Sequence, residues 1–555
     1  MRVISILIVA SGLLARCGSK DCCGPPPGPT PVNFTMSSWS VNNIAAQNSY
    51  YNVNRNPVVK LKFNSIINRS SVATSISFSD NSGSTINSNV TYESSDSVVI
   101  LQPSAPLNFL SKYWIVVTNT LKSTNGGNLV SGINLPLFTT IDSSRKFPAI
   151  SDDALLDLVQ KQTFKYFWDF GHPVSGLARE RSNGDNNVVT SGGSGFGIMA
   201  IPVAINRNFI TRAEGLARMQ KIVGFLKTTP PRFHGAFSHW MNGSTGAVVP
   251  FASNDNGADL VETSFLMMGL LTARQYFNAA DPAETTLRND INTLWNEVEW
   301  DWFRQNGKKV LYWNWSPNFG WAVNVPVQGW NECLITYVLA ASSTTHGIPK
   351  AVYDSGYTRN GAIRNGNSYL GYPLPLGPAF GGPLFFEHYS FLGINPKSLT
   401  DANANYETQT TNHTLINYTY CRNNPLNYFG YSDSVWGLTA SDIPNGYTAS
   451  SPTNDVGVIA PTGAISSIPY TPTESLKALK FFYYVLGDRL WSDYGFRDAF
   501  SLKEIWFAGS YLAIDQGPII VMIENHRTAL LWNLFTSCPE VKAGMLSLGF
   551  SAPYL

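Results

Sequence analysis

Charge is scarce in this chain. Of its 555 residues only 14% are Asp, Glu, Lys or Arg, and 38 basic against 37 acidic side chains leave a formal net charge of +1. So even a balance supplies no long-range field, which excludes an electrostatic footprint for DNA, RNA or an acidic membrane surface. Cysteine is scarce too. The six residues Cys17, Cys22, Cys23, Cys333, Cys421 and Cys538 fit no zinc or redox spacing and describe no disulfide framework, although an exported protein could pair two of them. Beyond the N-terminus no run of about 18 apolar residues occurs, so no membrane span is expected in the body of the chain.

What the chain has is apolar and aromatic mass. Hydrophobic residues make up 44%, with 15 Trp, 25 Tyr and 31 Phe, which excludes general disorder and supports a large core. The length points to two or three domains. Aromatic rings interleaved with Asn and Gly suit a surface that stacks on sugar rings, though a large aromatic core would use the same residues.

The first residues, "MRVISILIVASGLLARCGSKDCCGPPPGPTP", place Arg2 before an apolar run from Val3 to Leu14. This is the form of a secretory signal, too short to anchor by itself, and residues 1–16 are expected to be one. Its end, "LLARC", resembles a bacterial lipobox whose lipidated residue would be Cys17; Arg16 departs from the pattern, which places a small residue there. Residues 17–32 then read as a Pro/Gly-rich tether. The expected address is export, with lipid anchoring to a bacterial membrane at the periplasm or cell surface, or else secretion.

Two kinds of chain follow. Residues 33–141 carry short alternating segments, among them "VVKLKF", "SISF", "NVTY", "SVVILQP" and "YWIVVTN", separated by Asn, Ser and Gly turns. Period-two alternation at this spacing predicts a small antiparallel sandwich. The segments resemble a bacterial Ig-like domain, and no cluster in them argues for catalysis. From about Ser151 the pattern becomes helical. "SDDALLDLVQKQTFKYFWDF" opens on N-terminal signals, and "TRAEGLARMQKIVGFLKTTPP" starts with the capping box Thr211–Glu214 and stops before Pro230. "TPTESLKALKFFYYVLG" repeats the box with Thr471 and Glu474, with Pro472 at the first helical position. Further helices are expected to begin near Asp259, Thr286, Gly329, Asp498 and Pro518. Ten to twelve helices, some apolar on every side, need an inner ring enclosed by an outer one. Residues 150–555 are therefore predicted to form an (α/α)6 barrel, mainly α, with long polar-aromatic loops as the walls of a cleft.

Three groups of carboxylates stand out against so little charge. "SNDNGADLVETS" carries Asp255, Asp259 and Glu262 at i, i+4 and i+7, directly before the apolar "FLMMGLLTA". If the helix begins as early as Asn254, all three share one side, where like charges repel unless a ligand or the helix dipole compensates. The alternative is an acidic first turn with Asp259 as a cap. A cation held there would lack His or other obvious partner ligands, so no metal is expected. Glu332, in "VQGWNECLITYVLA", stands beside Trp330 and Asn331 at the head of an apolar helix. An indole neighbour raises a carboxyl's pKa and suits a general acid, against the alternative of a cap. Asp515, in "LAIDQGPIIVMIENHRTALLW", precedes Gly517 and Pro518 and is placed in a loop at a helix N-terminus; Glu524 reads as half of a buried Glu–Arg pair.

Loop aromatics and amides supply the remaining candidates for sugar binding: Phe196, His234, Trp240, Trp313, Trp330, Asn331, Tyr431 and Trp436. Each has a core role as its alternative.

Together these motifs carry a family resemblance over residues of about 152–540. "LLDLVQKQTFKYFWDF", "TSGGSGFGIMAIPVAI", "FHGAFSHWMNGSTG", "NDNGADLVETSFLMMGLL", "GWNECLITYVLAASS", "FFEHYSFLGI", "WGLTASDIPNGY" and "IDQGPIIVMIENHRTALLW" resemble the bacterial glycoamylase-like proteins, specifically glycoside hydrolase family 144. The resemblance implies an (α/α)6 barrel and hydrolysis of β-1,2-glucans with inversion; no cofactor is expected, and a monomer is, with glucan or a gluco-oligosaccharide as its partner. Family active-site acids fall on Asp255, Asp259, Glu262, Glu332 and Asp515. Inversion needs an acid and a base about 6.5–9.5 Å apart. Local environment assigns Glu332 as acid and Asp515 as base, directly or through a water or sugar hydroxyl, with Asp259 or Glu262 as the alternative acid. Two other functions stay open: an exo-acting glucosidase on other glucans, and a surface glycan-binding lipoprotein without catalysis.

Overall fold

The computed structural model describes residues 30–555, so the expected signal 1–16, the lipidation candidate Cys17 and all but the end of the tether lie outside the described residues. The chain divides into two units between Ile141 and Asp142.

The first unit is a β-sandwich. One sheet orders β2 (Ile44–Ala45), β1 (Met36–Val41), β4 (Val59–Phe63), β7 (Val98–Pro103) and β6 (Ser88–Glu93). The other orders β3 (Tyr50–Val53), β9 (Ile133–Thr139), β8 (Lys112–Val117) and β5 (Ile76–Asp80), with β3 parallel to β9. Alternation sets the faces. Val59, Leu61 and Phe63 of β4 point into the core while Lys60 and Lys62 point out, and β8 buries Tyr113, Ile115 and Val117.

The second unit is the (α/α)6 barrel. Its outer helices are α1 (Asp152–Trp168), α3 (Arg212–Thr228), α5 (Pro282–Asn296), α7 (Lys350–Val352, continued by a π turn), α9 (Tyr406–Asn423) and α11 (Pro472–Tyr484). Alternating with them are the inner helices α2 (Ser191–Asn206), α4 (Leu260–Tyr276), α6 (Leu334–Ser342), α8 (Phe385–His388, continued by a 3-10 turn), α10 (Pro461–Ile465) and α12 (Ala513–Thr528). The inner helices neighbour one another from α2 through α4 and α6 to α8, and from α10 through α12 back to α2. His388 Nε2 to Ser467 Oγ (2.9 Å) and Tyr470 Oη to Glu387 O (2.8 Å) tie the α8 segment to the α10 segment and complete the ring. Sequence decides which ring each helix joins. α2 is buried from Ser191 to Ala204, whereas α5 buries only one stripe through Leu287, Ile291, Leu294 and Trp295. Glycines allow α2 and α4 to touch backbone to backbone: a Cβ at Gly195 would lie 2.2 Å from Phe265 O, and one at Gly269 would lie 2.2 Å from Gly195 O.

Several helix starts differ from expectation. The box Thr211–Glu214 forms on α3, but at α11 Thr471 makes no capping bond; its φ/ψ of −137°/68° leaves the hydroxyl facing Ser475. The helix expected near Thr286 starts at Pro282, and the one expected near Gly329 starts at Leu334. No helix begins at Asp498, which precedes a short ladder of Phe500–Ser501 with Trp506–Phe507. α12 begins at Ala513, so Pro518 lies inside it and Asp515 in its first turn, not in a loop. Glu524 pairs with Arg207 (2.7 Å), not with Arg527, which reaches Asp157. Cys333, Cys421 and Cys538 are buried free thiols.

Candidate active site

The inner helices α2, α4, α6, α8 and α12 start around one cleft. Because α4 begins at Leu260, Asp255, Asp259 and Glu262 do not share a helical face; a two-residue ladder brings them together instead. Ala258–Asp259 pairs antiparallel with Asn314–Trp315, setting Asp259 opposite Asn314. The Asn314 amide then donates to Asp255 Oδ1 at 3.2 Å. Asp259 is the N-cap of α4, accepting the Glu262 amide at 2.9 Å, so the capping role weighed from sequence is real. Its second oxygen lies 2.8 Å from His239 Nδ1. Glu262 accepts the Gly192 amide at 2.8 Å and the Thr190 hydroxyl at 3.3 Å, bonds from the first turn of α2, whose dipole favours an anion. Gly192 is required here, since a Cβ would stand 2.4 Å from Glu262 Oε2.

These acids set one another's proton affinities. Burial, then the nearby Asp259, pushes Asp255 up to about 6. Burial raises Glu262 as well, opposed by His239. For His239, burial alone would lower the imidazole, but Glu262, Asp259 and Asp255 outweigh it and push it up to about 9. It is therefore an imidazolium at neutral pH, stacked on Phe251 with ring centroids 4.0 Å apart.

Glu332 sits two residues before α6, and its carbonyl accepts the Ser390 hydroxyl of the α8 segment. Burial, reinforced by Glu262 and Asp259, pushes its carboxyl up to about 7. Asp515, in the first turn of α12, is 1% exposed and raised well above the carboxylate range by burial and by Asp498. A chain of charge runs past it. Asp498 accepts the Asp442 amide (2.7 Å), Asp442 pairs with Arg181 (3.1 Å), and Arg181 pairs with Glu180 (2.9 Å).

The cleft encloses about 440 Å³, within the range of a small-ligand site. Glu262 and Glu332 open into it with Glu180 and Arg181, and Trp240, Trp313, Phe251, Tyr389 and Tyr447 form its aromatic walls. Asp515 lies behind the wall made by Leu512, Ile514, Tyr389 and Tyr447. Of the aromatic and amide candidates, Trp240 and Trp313 line the cleft. The others do not, each for a local reason. Phe196 and Trp436 are wholly enclosed, packed on Phe265 and Tyr418. Trp330 packs between Phe391 and Tyr406, and Asn331 caps the next turn through Cys333 N (3.0 Å). His234 pairs with Glu299 and stacks on Trp302 beside a separate open hollow, and Tyr431 donates to Asp455. Sequence reasoning left Arg181, Tyr389, Tyr447, Asp442 and Asp498 without a role. Their proximity to the acids is long-range, and no local signal marks it.

An acid-lined, ring-walled cleft at the N-terminal ends of barrel helices defines the class of (α/α)6-barrel carbohydrate-active proteins. A family model described as "Putative glucoamylase" matches residues 324–539, and a bacterial Ig-like domain model matches residues 37–140. The chain belongs to the glycoamylase-like proteins of glycoside hydrolase family 144. The solved endo-β-1,2-glucanase of Chitinophaga pinensis, bound to sophorotriose and glucose, is 52% identical; the match covers 73% of this chain and 100% of that one, with a TM-score of 0.72. A β-1,2-glucanase structure from Parabacteroides distasonis is 37% identical over 95% of this chain and 74% of its own, with a TM-score of 0.71. A curated relative from P. distasonis, an exo β-1,2-glucooligosaccharide sophorohydrolase acting at the non-reducing end, is 46% identical over 424 residues, 73% of this chain. The chain spans 58% of that relative's length.

Proposed function

We propose that the protein is an inverting glycoside hydrolase of β-1,2-glucan or its oligosaccharides. The observation that carries this is Glu332: a carboxyl opening into a ring-walled cleft and held at about 7, where it keeps a proton to give near neutral pH. The relatives that act on β-1,2-glucans and match the chain across the barrel supply the linkage. In this reading Glu332 protonates the leaving glycosidic oxygen. Asp515, one layer behind the cleft wall, takes the proton of the attacking water through an intervening water or sugar hydroxyl. Glu262, fixed by the Gly192 amide, holds a sugar hydroxyl in the cleft, and Asp255 and Asp259, fixed by Asn314 and His239, set its charge from behind. Trp240 and Trp313 stack on the rings.

Incubation with β-1,2-glucan, sophoro-oligosaccharides, soluble starch and other β-glucans, followed by product chromatography, tests the reading. Sophorose or longer products from β-1,2-glucan support it. Glucose alone, or turnover of starch, contradicts it. Glu332→Gln should abolish turnover while oligosaccharide binding remains measurable.

We further propose that the chain is exported, anchored through a lipid on Cys17, and acts as a monomer, with the Ig-like unit as a spacer. The lipobox-like "LLARC" and the tether support the anchor. Cys17→Ala should release the protein from the membrane fraction, and size-exclusion chromatography with light scattering should give one chain's mass.

A further inference from the structure

Asp498 has no part in the reaction as described, yet its surroundings are those of a reacting group. It is 2% exposed, and its Oδ2 accepts the Asp442 amide at 2.7 Å. Asp498 Oδ1 and both carboxyl oxygens of Asp515 are buried without a donor from any described protein group. The two carboxyls are neighbours, and the charge of Asp498 opposes ionisation of Asp515. Two neighbouring buried carboxylates with three oxygens lacking a donor would leave a double charge uncompensated, so the pair holds a proton. The cation that acts on both, Arg181, is shared with Glu180 and Asp442, and Asp442 also accepts Ser510 Oγ. Phenols that feel the pair's charge include Tyr166 from α1, Tyr389 from the α8 segment and Tyr447 from the hairpin 440–449; Tyr389 and Tyr447 line the cleft.

We infer that Asp498 is the positioning residue of the base, sharing one proton with Asp515 and taking that proton over when Asp515 acts on the attacking water. The inference rests on the proposed role of Asp515. In the resting pair the proton lies between the two carboxyls, with one negative charge overall. As the C1–oxygen bond to water forms and the glycosidic bond breaks, the shared proton passes to Asp498. Asp515 accepts the water's proton, and Glu332 gives its proton to the leaving oxygen. The pair then holds two protons and Glu332 none. Release of one proton from the pair to solvent and uptake of one by Glu332 restore the resting state, with one water consumed. Burial drives the affinities in the required direction, raising Asp498 to about 7 and Asp515 well above the usual range. The apparent values belong to the pair and not to either residue.

Asp498→Asn keeps an acceptor for the Asp442 amide and offers Asp515 an amide donor, but it cannot take a proton. The acid limb of the kcat–pH profile on β-1,2-glucan should move down by at least about one pH unit as Asp515 becomes a weaker, ionised base. kcat near neutral pH should fall at least about tenfold, with KM changed little, a fraction of the roughly 10²–10⁴-fold worth of a general base. An acid limb left in place overturns the inference whatever happens to kcat, because a purely structural role would lower activity without moving it. Asp515→Asn separates the two claims. Near-normal turnover there sinks Asp515 as base, whereas loss of turnover with an unmoved limb in Asp498→Asn sinks only the shared proton. If Asp498→Asn does not fold, infrared spectroscopy decides: the wild-type minus Asp515→Asn difference spectrum at pH 7.5 should contain a protonated-carboxyl C=O band, and its absence refutes the pair.

Discussion

His239 is the cation on which the three acids of the α4 turn depend, and its replacement by Asn gives a prediction with a defined size. Asn can still donate to Asp259 but carries no charge. In the folded protein the imidazole is pushed from its ordinary 6.5 up to about 9, and its side chain is only 19% exposed, so solvent screens the interaction weakly. A shift of that size corresponds to about 3 kcal/mol of stability. Its sign is that of a raised pKa: the contribution is fully present below pH 6.5 and is lost as pH rises through 9. Chemical denaturation of wild type and His239→Asn, followed by tryptophan fluorescence, should therefore show a gap of up to about 3 kcal/mol near pH 6.5 that closes by about pH 9.5. Groups away from His239 are common to both proteins and cancel in the difference, whereas Asp255 and Glu262, which His239 lowers, rise in the variant. A gap that stays constant across this range would refute the claim that His239 is an imidazolium held by Asp255, Asp259 and Glu262.

Three further outcomes follow from the same geometry. Since Glu332 must be protonated to act, kcat should fall as pH rises through about 7, and the limb should disappear with the activity in Glu332→Gln, as steady-state kinetics will show. Gly192→Ala places a Cβ 2.4 Å from Glu262 Oε2 and 2.9 Å from Phe265 Cδ2, so it should cost about 1–3 kcal/mol in denaturation and at least about tenfold in kcat/KM. Trp313→Ala, made in the Glu332→Gln background, should weaken oligosaccharide binding about tenfold by calorimetry, roughly 1.4 kcal/mol, while Trp436→Ala should act on stability alone.

Sequence showed the fold where the cause is local. Alternation of Val59, Leu61 and Phe63 with lysines predicts a strand with one buried face, and the box Thr211–Glu214 predicts a helix start that forms as drawn. It misled where backbone conformation or long-range packing decides. Thr471 carries the same box residues, but its φ/ψ turns the hydroxyl away, and the helix expected near Asp498 is a short ladder instead. The acids illustrate both sides. Three carboxylates before an apolar run marked the site, but their convergence comes from the pairing of Asp259 with Asn314, not from helical spacing. Aromatic loops marked a cleft without telling wall from core, so Trp240 and Trp313 face it while Phe196 and Trp436 do not. Arg181 and Asp442, 261 residues apart, meet only through the closed barrel.

The central claim is inverting cleavage of a β-1,2-linked glucan. It is tested most directly by proton NMR of wild-type enzyme acting on β-1,2-glucan, read before the anomers equilibrate. The first new reducing ends should carry the α anomeric signal and mutarotate to the β form afterwards. New ends that first appear as β, or no new ends from β-1,2-glucan, would contradict it.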